Sequence, residues 1–87
     1  MVRMFVRHAV ADFDAWKQGY DDFDREGLGV VGHAVYRSVD EPNDVTVWHD
    51  FEGASAAKGF AQSQQLREAM KRAGVVGEPT IWFTEQV

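Results

Sequence analysis

Three stretches of this 87-residue chain alternate with period two and carry bulky apolar side chains on both phases. Val2, Met4, Val6 and Val10 stand against Phe5; Val45, Val47 and Phe51 against Trp48; Ile81 and Phe83 against Trp82. Such spacing, rich in β-branched and aromatic residues, predicts strands over Val2–Val10, Val45–Phe51 and Pro79–Gln86. Apolar residues on both phases require a sheet covered on both faces. That requirement excludes a half-solvated meander and governs everything that follows.

Between the strands the period changes. Asp12 or Asp14 can cap a helix whose apolar side is Phe13, Trp16, Tyr20 and Phe23, with Lys17, Asp21, Asp22, Asp24 and Arg25 on its solvated side. Gly27 is the expected helix stop. Leu28–Val39 returns to a strand pattern, with Gly29 and Gly32 as bulge positions. Asp40–Asp44 is turn chemistry and joins it to Val45–Phe51 as a hairpin. A second helical stretch runs from Gly53 or Ser55 to Ala73 and stops at Gly74. Its apolar phase slips across Gln62–Gln64, which predicts a break with Ser63 as a local cap.

The order β-α-β-β-α-β is the ferredoxin-like split arrangement. Right-handed crossovers make it an α+β fold with a four-stranded antiparallel sheet ordered 4-1-3-2 and both helices on one face. Residues 1–87 read as a single domain. Two short helices leave the second sheet face bare, and an apolar face of that size marks an interaction surface. A short chain buries little of its surface, and with no cysteine it has no disulfides to compensate. A two-fold homodimer packed sheet against sheet is the economical solution.

Composition removes several function classes. Nine Lys and Arg against fourteen Asp and Glu leave no basic stripe, so no nucleic-acid partner is expected. The start lacks the apolar core of a signal peptide, and no run approaches the ~20 apolar residues of a membrane span. The expected location is cytoplasmic, without a membrane partner. Gly27, Gly29 and Gly32 do not form a phosphate loop, and no nucleophile elbow is present.

The stretch from Val45 to Gly74 resembles the strand-then-helix signature of the dimeric α+β barrel superfamily, most closely its antibiotic-biosynthesis-monooxygenase-like group. Phe51, Glu52, Ala56, Ala57, Phe60 and Ser63 occupy the aromatic strand end, the polar turn and the alanine-rich helix broken at a serine. The resemblance implies the fold and the homodimer. The group spans cofactor-independent quinone-forming monooxygenases, haem-degrading enzymes and isomerases. Its frequent helix histidine has no counterpart in Ala54–Ala73, and Arg3 and Phe5 stand where several members carry an asparagine.

Three histidines lie in strands. His8 and His49 fall at opposite sheet ends, on the order of 15 Å apart, which argues against a three-histidine metal site. If the hairpin pairs symmetrically about Pro42, His33 faces Phe51 and lies diagonal to His49, roughly 6–8 Å away on one face. Histidine suits general acid–base work near neutral pH. His33, His49 and Tyr36 are therefore the candidate catalytic contacts, and Trp48, Phe51 and Arg37 the candidate substrate contacts, with no metal. Arg7 and Arg37, lying mid-strand, need a carboxylate partner or an anionic ligand, and an intersubunit pair with Asp50 or Glu85 is expected. Trp16 reads as core, and Trp48 and Trp82 as dimer packing.

The function this points to is cofactor-free oxidation, isomerisation or cyclisation of a small aromatic or polyketide-like ligand. A non-catalytic ligand-binding or stress-associated dimerisation module is the alternative, and a metal-dependent protein using His33 and His49 is a third.

Overall fold

The computed structural model describes residues 1–87. In chain order it has β1 (Val2–Val10), α1 (Phe13–Asp22), a short 3-10 turn (Glu26–Leu28), β2 (Gly32–Arg37), β3 (Asp44–Phe51), α2 (Ala54–Ala61), α3 (Gln64–Arg72) and β4 (Val75–Glu85). The four strands form one antiparallel sheet in the order β2-β3-β1-β4, the arrangement expected. Val2, Met4, Val6 and Val10 of β1 and Val45, Val47 and Phe51 of β3 turn towards the helices and are buried with Trp16, Tyr20, Phe60 and Leu66. Helix α1 starts where Asp12 accepts from the Ala15 amide at 3.1 Å.

The predicted break in the second helix is real. The Ser63 hydroxyl accepts from the Leu66 amide at 3.2 Å and donates to the Phe60 carbonyl at 2.8 Å, ending α2 and starting α3 with one side chain. Gly74 closes α3 with φ 87°, a conformation that a β-carbon would strain.

The end of α1 departs from expectation. The helix stops at Asp22, not Gly27, and Phe23 is extended. In a continuing helix, Arg25 would lie five residues, or about 140°, round from Tyr20 and face water. Unwinding lets the chain double back and lay the Arg25 guanidinium 3.4 Å from the Tyr20 ring centroid. Gly29, with φ 91°, then terminates the 3-10 turn. Residues 28–31 are consequently spent in this connection, and β2 is shorter than the predicted strand.

The hairpin register also differs. His33 pairs with His49, and Val35 with Val47, so the turn is centred on Glu41 and not on Pro42. Ser38 sets that centre: its hydroxyl accepts from the amides of Asp40 and Glu41, at 3.2 and 3.3 Å. The shift is an even number of residues, so both histidines keep the predicted face. Strand β4 begins four residues early. Between the pairs Arg7–Thr80 and Ala9–Val76, three β4 residues face one β1 residue, and Pro79 is accommodated in this bulged edge strand.

On the face away from the helices, Ala34, Trp48, Phe5 and Trp82 form one register row across all four strands. Phe5 and Trp82 stack at 5.1 Å and 8°. Two arginines on this face pair within the chain, Arg7 with Asp44 and not with Asp50 or Glu85. Arg3 donates twice to Asp50, at 2.7 and 3.0 Å, and Arg7 twice to Asp44, at 3.0 and 2.7 Å.

Candidate functional site

The register pair His33–His49 brings two imidazoles together on the helix side of the sheet, with ring centroids 6.0 Å apart. Helix α1 lowers Tyr20 onto them, and its hydroxyl shares a 2.7 Å hydrogen bond with His33 Nδ1. The unwound segment after α1 supplies Arg25, which is only 8 % exposed. Arg25 donates from Nε to His49 Nε2 at 3.1 Å and from its terminal nitrogen to the Phe23 carbonyl at 3.0 Å.

This arrangement sets the charge state of each group. Burial, reinforced by the Arg25 cation and by His33, pushes His49 down to about 3, so its imidazole is neutral near pH 7. A guanidinium can only donate, so His49 accepts at Nε2 and carries its proton on Nδ1. That Nδ1 is buried, and no group of the chain meets it. Burial first, and then Arg25, also lower His33. Burial raises the Tyr20 phenol while Arg25 opposes the rise. His8 is lowered by burial, and its Nδ1 is likewise buried and unpartnered.

A cavity of about 40 Å³ lies between sheet and helices. Val6 and Val47 form its floor, Trp16 and Leu66 belong to its roof, and both His8 and His49 line it. Phe23 and Arg25 separate it from a surface recess lined by Asp21, Asp24, Glu26 and His33. At that volume the cavity has room for a few waters, far below the ~300–1,000 Å³ of a small-molecule site.

Of the residues singled out from the sequence, the structure unites only His33 and His49. Tyr36 is 57 % exposed on the opposite face. Trp48 shares that face, with the Arg3 guanidinium 3.7 Å from its ring centroid. Phe51 faces the helices but is fully buried, packed 5.3 Å from Phe60. Arg37 lies at the far end of β2, over the Phe13 ring at 4.0 Å. Tyr20 and Arg25 were missed because helical spacing placed one in the core stripe and the other on the solvated side. The available signal was Arg25 directly before the glycine pair of Glu26-Gly27-Leu28-Gly29, where a helix gives way. No group of three or more His, Asp or Glu side chains converges to hold a metal. A cation at His49 Nε2 also opposes one there.

No protein-family profile matches the chain, and no curated protein matches it. Solved structures do. A candidate antibiotic biosynthesis monooxygenase from Bordetella bronchiseptica superposes with a TM-score of 0.78 at 20% identity, covering 99% of this chain and 96% of that one. SnoaB, a cofactor-independent oxygenase from Streptomyces nogalater, superposes at 0.70 with 15% identity over 99% and 94% of the two chains. A conserved protein from Methanosarcina mazei Go1 reaches 0.76 at 14% identity, over 99% and 92%. No helix is long and apolar enough to cross a membrane. What these likenesses establish is the fold: the chain adopts the four-stranded α+β architecture that these solved structures share.

Proposed function

We propose that this chain is a homodimeric, cofactor-independent oxygenase acting on a small hydroxylated aromatic compound bound in the surface recess that Arg25 and His33 line. The observation that carries this reading is the Tyr20–His33–His49–Arg25 cluster. The His33–Tyr20 pair stands at the recess side to take a proton from a substrate hydroxyl or activated carbon. The oxyanion so formed is held by the Arg25 charge, which is already in place before reaction. His49 does not act as the base, because its accepting nitrogen is engaged and its basicity is suppressed. The electron-rich substrate then reacts with dioxygen. A ring methylene becomes a carbonyl and the second oxygen atom leaves as water, so substrate electrons balance the reduction. The SnoaB likeness supports the absence of a cofactor in this chemistry.

The Phe5–Trp48–Trp82 row supports sheet-to-sheet dimerisation, since a row of that kind is the apolar centre of an interface flanked by paired charges. His33, Trp48, Phe51, Tyr36 and Arg37 thus divide among three roles. His33 belongs to the site, Tyr36 and Trp48 to the dimer face, and Phe51 and Arg37 support the two ends of the inner layer.

Dioxygen uptake and quinone absorbance, followed with a panel of hydroxynaphthalenes and anthrones, test the assignment. Turnover that falls at least about 100-fold in Tyr20→Phe and Arg25→Gln is expected. Binding without uptake across the panel would instead make the chain a ligand carrier.

A further inference from the structure

The recess beside the cluster measures about 490 Å³, large enough for a small molecule. Its two signs of charge are kept apart. On the inner side Arg25 is 8 % exposed, yet no carboxylate lies within ion-pair distance of it. The ion pairs of the chain are Arg3–Asp50, Arg7–Asp44 and Lys17–Asp21. His49 and the Phe23 carbonyl engage Nε and one terminal nitrogen of Arg25, and the other terminal nitrogen donates to no group of the chain. A guanidinium buried without a counter-charge is costly, and an oxygen brought from outside relieves it. At the rim stand Asp21, Asp24 and Glu26. Local bonds hold two of them: Asp21 takes Lys17 Nζ at 2.8 Å, and Asp24 accepts from the Gly27 amide at 3.2 Å. Glu26 heads the 3-10 turn, and its carboxylate enters none of those ion pairs. Lys17 compensates Asp21, so Asp24 and Glu26 carry the free negative charge.

We propose that the recess selects phenols bearing a cationic amine, with the hydroxyl received by Arg25 and His33 and the ammonium by Asp24 and Glu26. The two ends differ in burial and therefore in task. Arg25, almost wholly withdrawn from water, acts at short range on the oxygen. The exposed carboxylates act on the approach, making the potential at the mouth negative, which draws cations and repels anions. Between the ends Phe23 and Val31, the latter 53 % exposed, supply apolar surface for a ring. The Asp21 charge already reaches both inner residues, opposing the burial that lowers Arg25 and His33. A substrate that arrives as an anion meets the negative rim first. A neutral hydroxyl is ionised only after entry, beside Arg25. This inference rests on the proposed site and names its substrate class.

The probes are three phenols of similar shape: tyramine is a cation near neutral pH, 4-ethylphenol is neutral and 4-hydroxyphenylpropionate is an anion. Each is titrated into the intact, isotope-labelled protein and followed by NMR. Tyramine should bind about fivefold more tightly than 4-ethylphenol, and the propionate more weakly than either. Shifts should gather at Val31, Gly32 and His33, and the order should collapse in about 0.5 M salt. Asp24→Asn combined with Glu26→Gln keeps the side-chain shapes and should bring the three affinities together. Glu68→Gln combined with Glu78→Gln changes the net charge equally, away from the recess, and should keep the order. Absence of tyramine binding, equal affinities in the parent chain, or shifts gathered elsewhere would each overturn the selection. So would an order that survives the first double variant or vanishes in the second. Dioxygen uptake is read separately. Charge-ordered binding without uptake keeps the selection and removes the oxygenase, whereas uptake that ignores ligand charge does the reverse.

Discussion

Arg25 Nε donates to His49 Nε2 at 3.1 Å, inside the fold and between two residues 24 positions apart. That bond fixes the His49 tautomer, adds to the burial that keeps the imidazole neutral, and ties the irregular segment after α1 to the centre of the sheet. Replacing Arg25 by Met keeps the aliphatic stem but removes the donor and the charge. We expect a loss of ~2–3 kcal/mol in unfolding free energy, from the hydrogen bonds and the cation–π contact with Tyr20. The His49 pKa should rise from about 3 yet stay below its ordinary 6.5, because burial is the larger cause. An NMR titration of the imidazole protons checks this. No rise would mean that Arg25 does not govern His49.

Stability should fall in mild acid. His49, His8 and His33 all have folded-state values below 6.5, so the unfolded chain binds protons more readily. Their contribution is complete above pH 6.5 and declines as the pH drops from there, that of His49 over the range down to about 3. The limiting slope is about 1.4 kcal/mol per pH unit for the buried His49, and the exposed His33 adds little. Urea denaturation at pH 7.5, 6 and 5 samples a window above the ordinary carboxylate range. A flat profile there contradicts the buried, neutral histidines. In His49→Gln the slope should diminish.

The aromatic row makes the oligomeric state sensitive to a single residue. Trp82 is 40 % exposed on the edge strand and stacks on Phe5. Trp82→Asp places a charge in the centre of the proposed interface, where it would be desolvated without a partner. Light scattering should report a dimer for the parent chain and a monomer for the variant, with little change in secondary structure. A dimer that survives the substitution would move the interface elsewhere.

Ser63 offers a check on the helix layer alone. Ser63→Ala removes the cap that accepts from the Leu66 amide and should cost ~1 kcal/mol. Oligomeric state should be unchanged. An unaltered unfolding midpoint would show that α2 and α3 do not depend on this junction.

The sequence alone determined the element order, the strand order, the helix break at Ser63 and the two-sided apolar sheet. These follow from local periodicity and capping, and from chain-crossing rules that allow few alternatives. Periodicity also placed His33 and His49 on one face, because a two-residue register error preserves the face. It failed where tertiary contact outweighed local pattern. Arg25 reads as a solvated helix residue until α1 unwinds and lays it on Tyr20. Tyr36 is a different case: three residues from His33 in one strand, it falls on the opposite face by alternation alone. Tyr20 reads as core until His33 comes within 2.7 Å of its hydroxyl. Only the tertiary structure decided which polar groups meet, because burying a guanidinium against two imidazoles depends on partners distant in the chain. That is why the apolar scaffold was legible from composition and spacing, while the polar cluster within it was not.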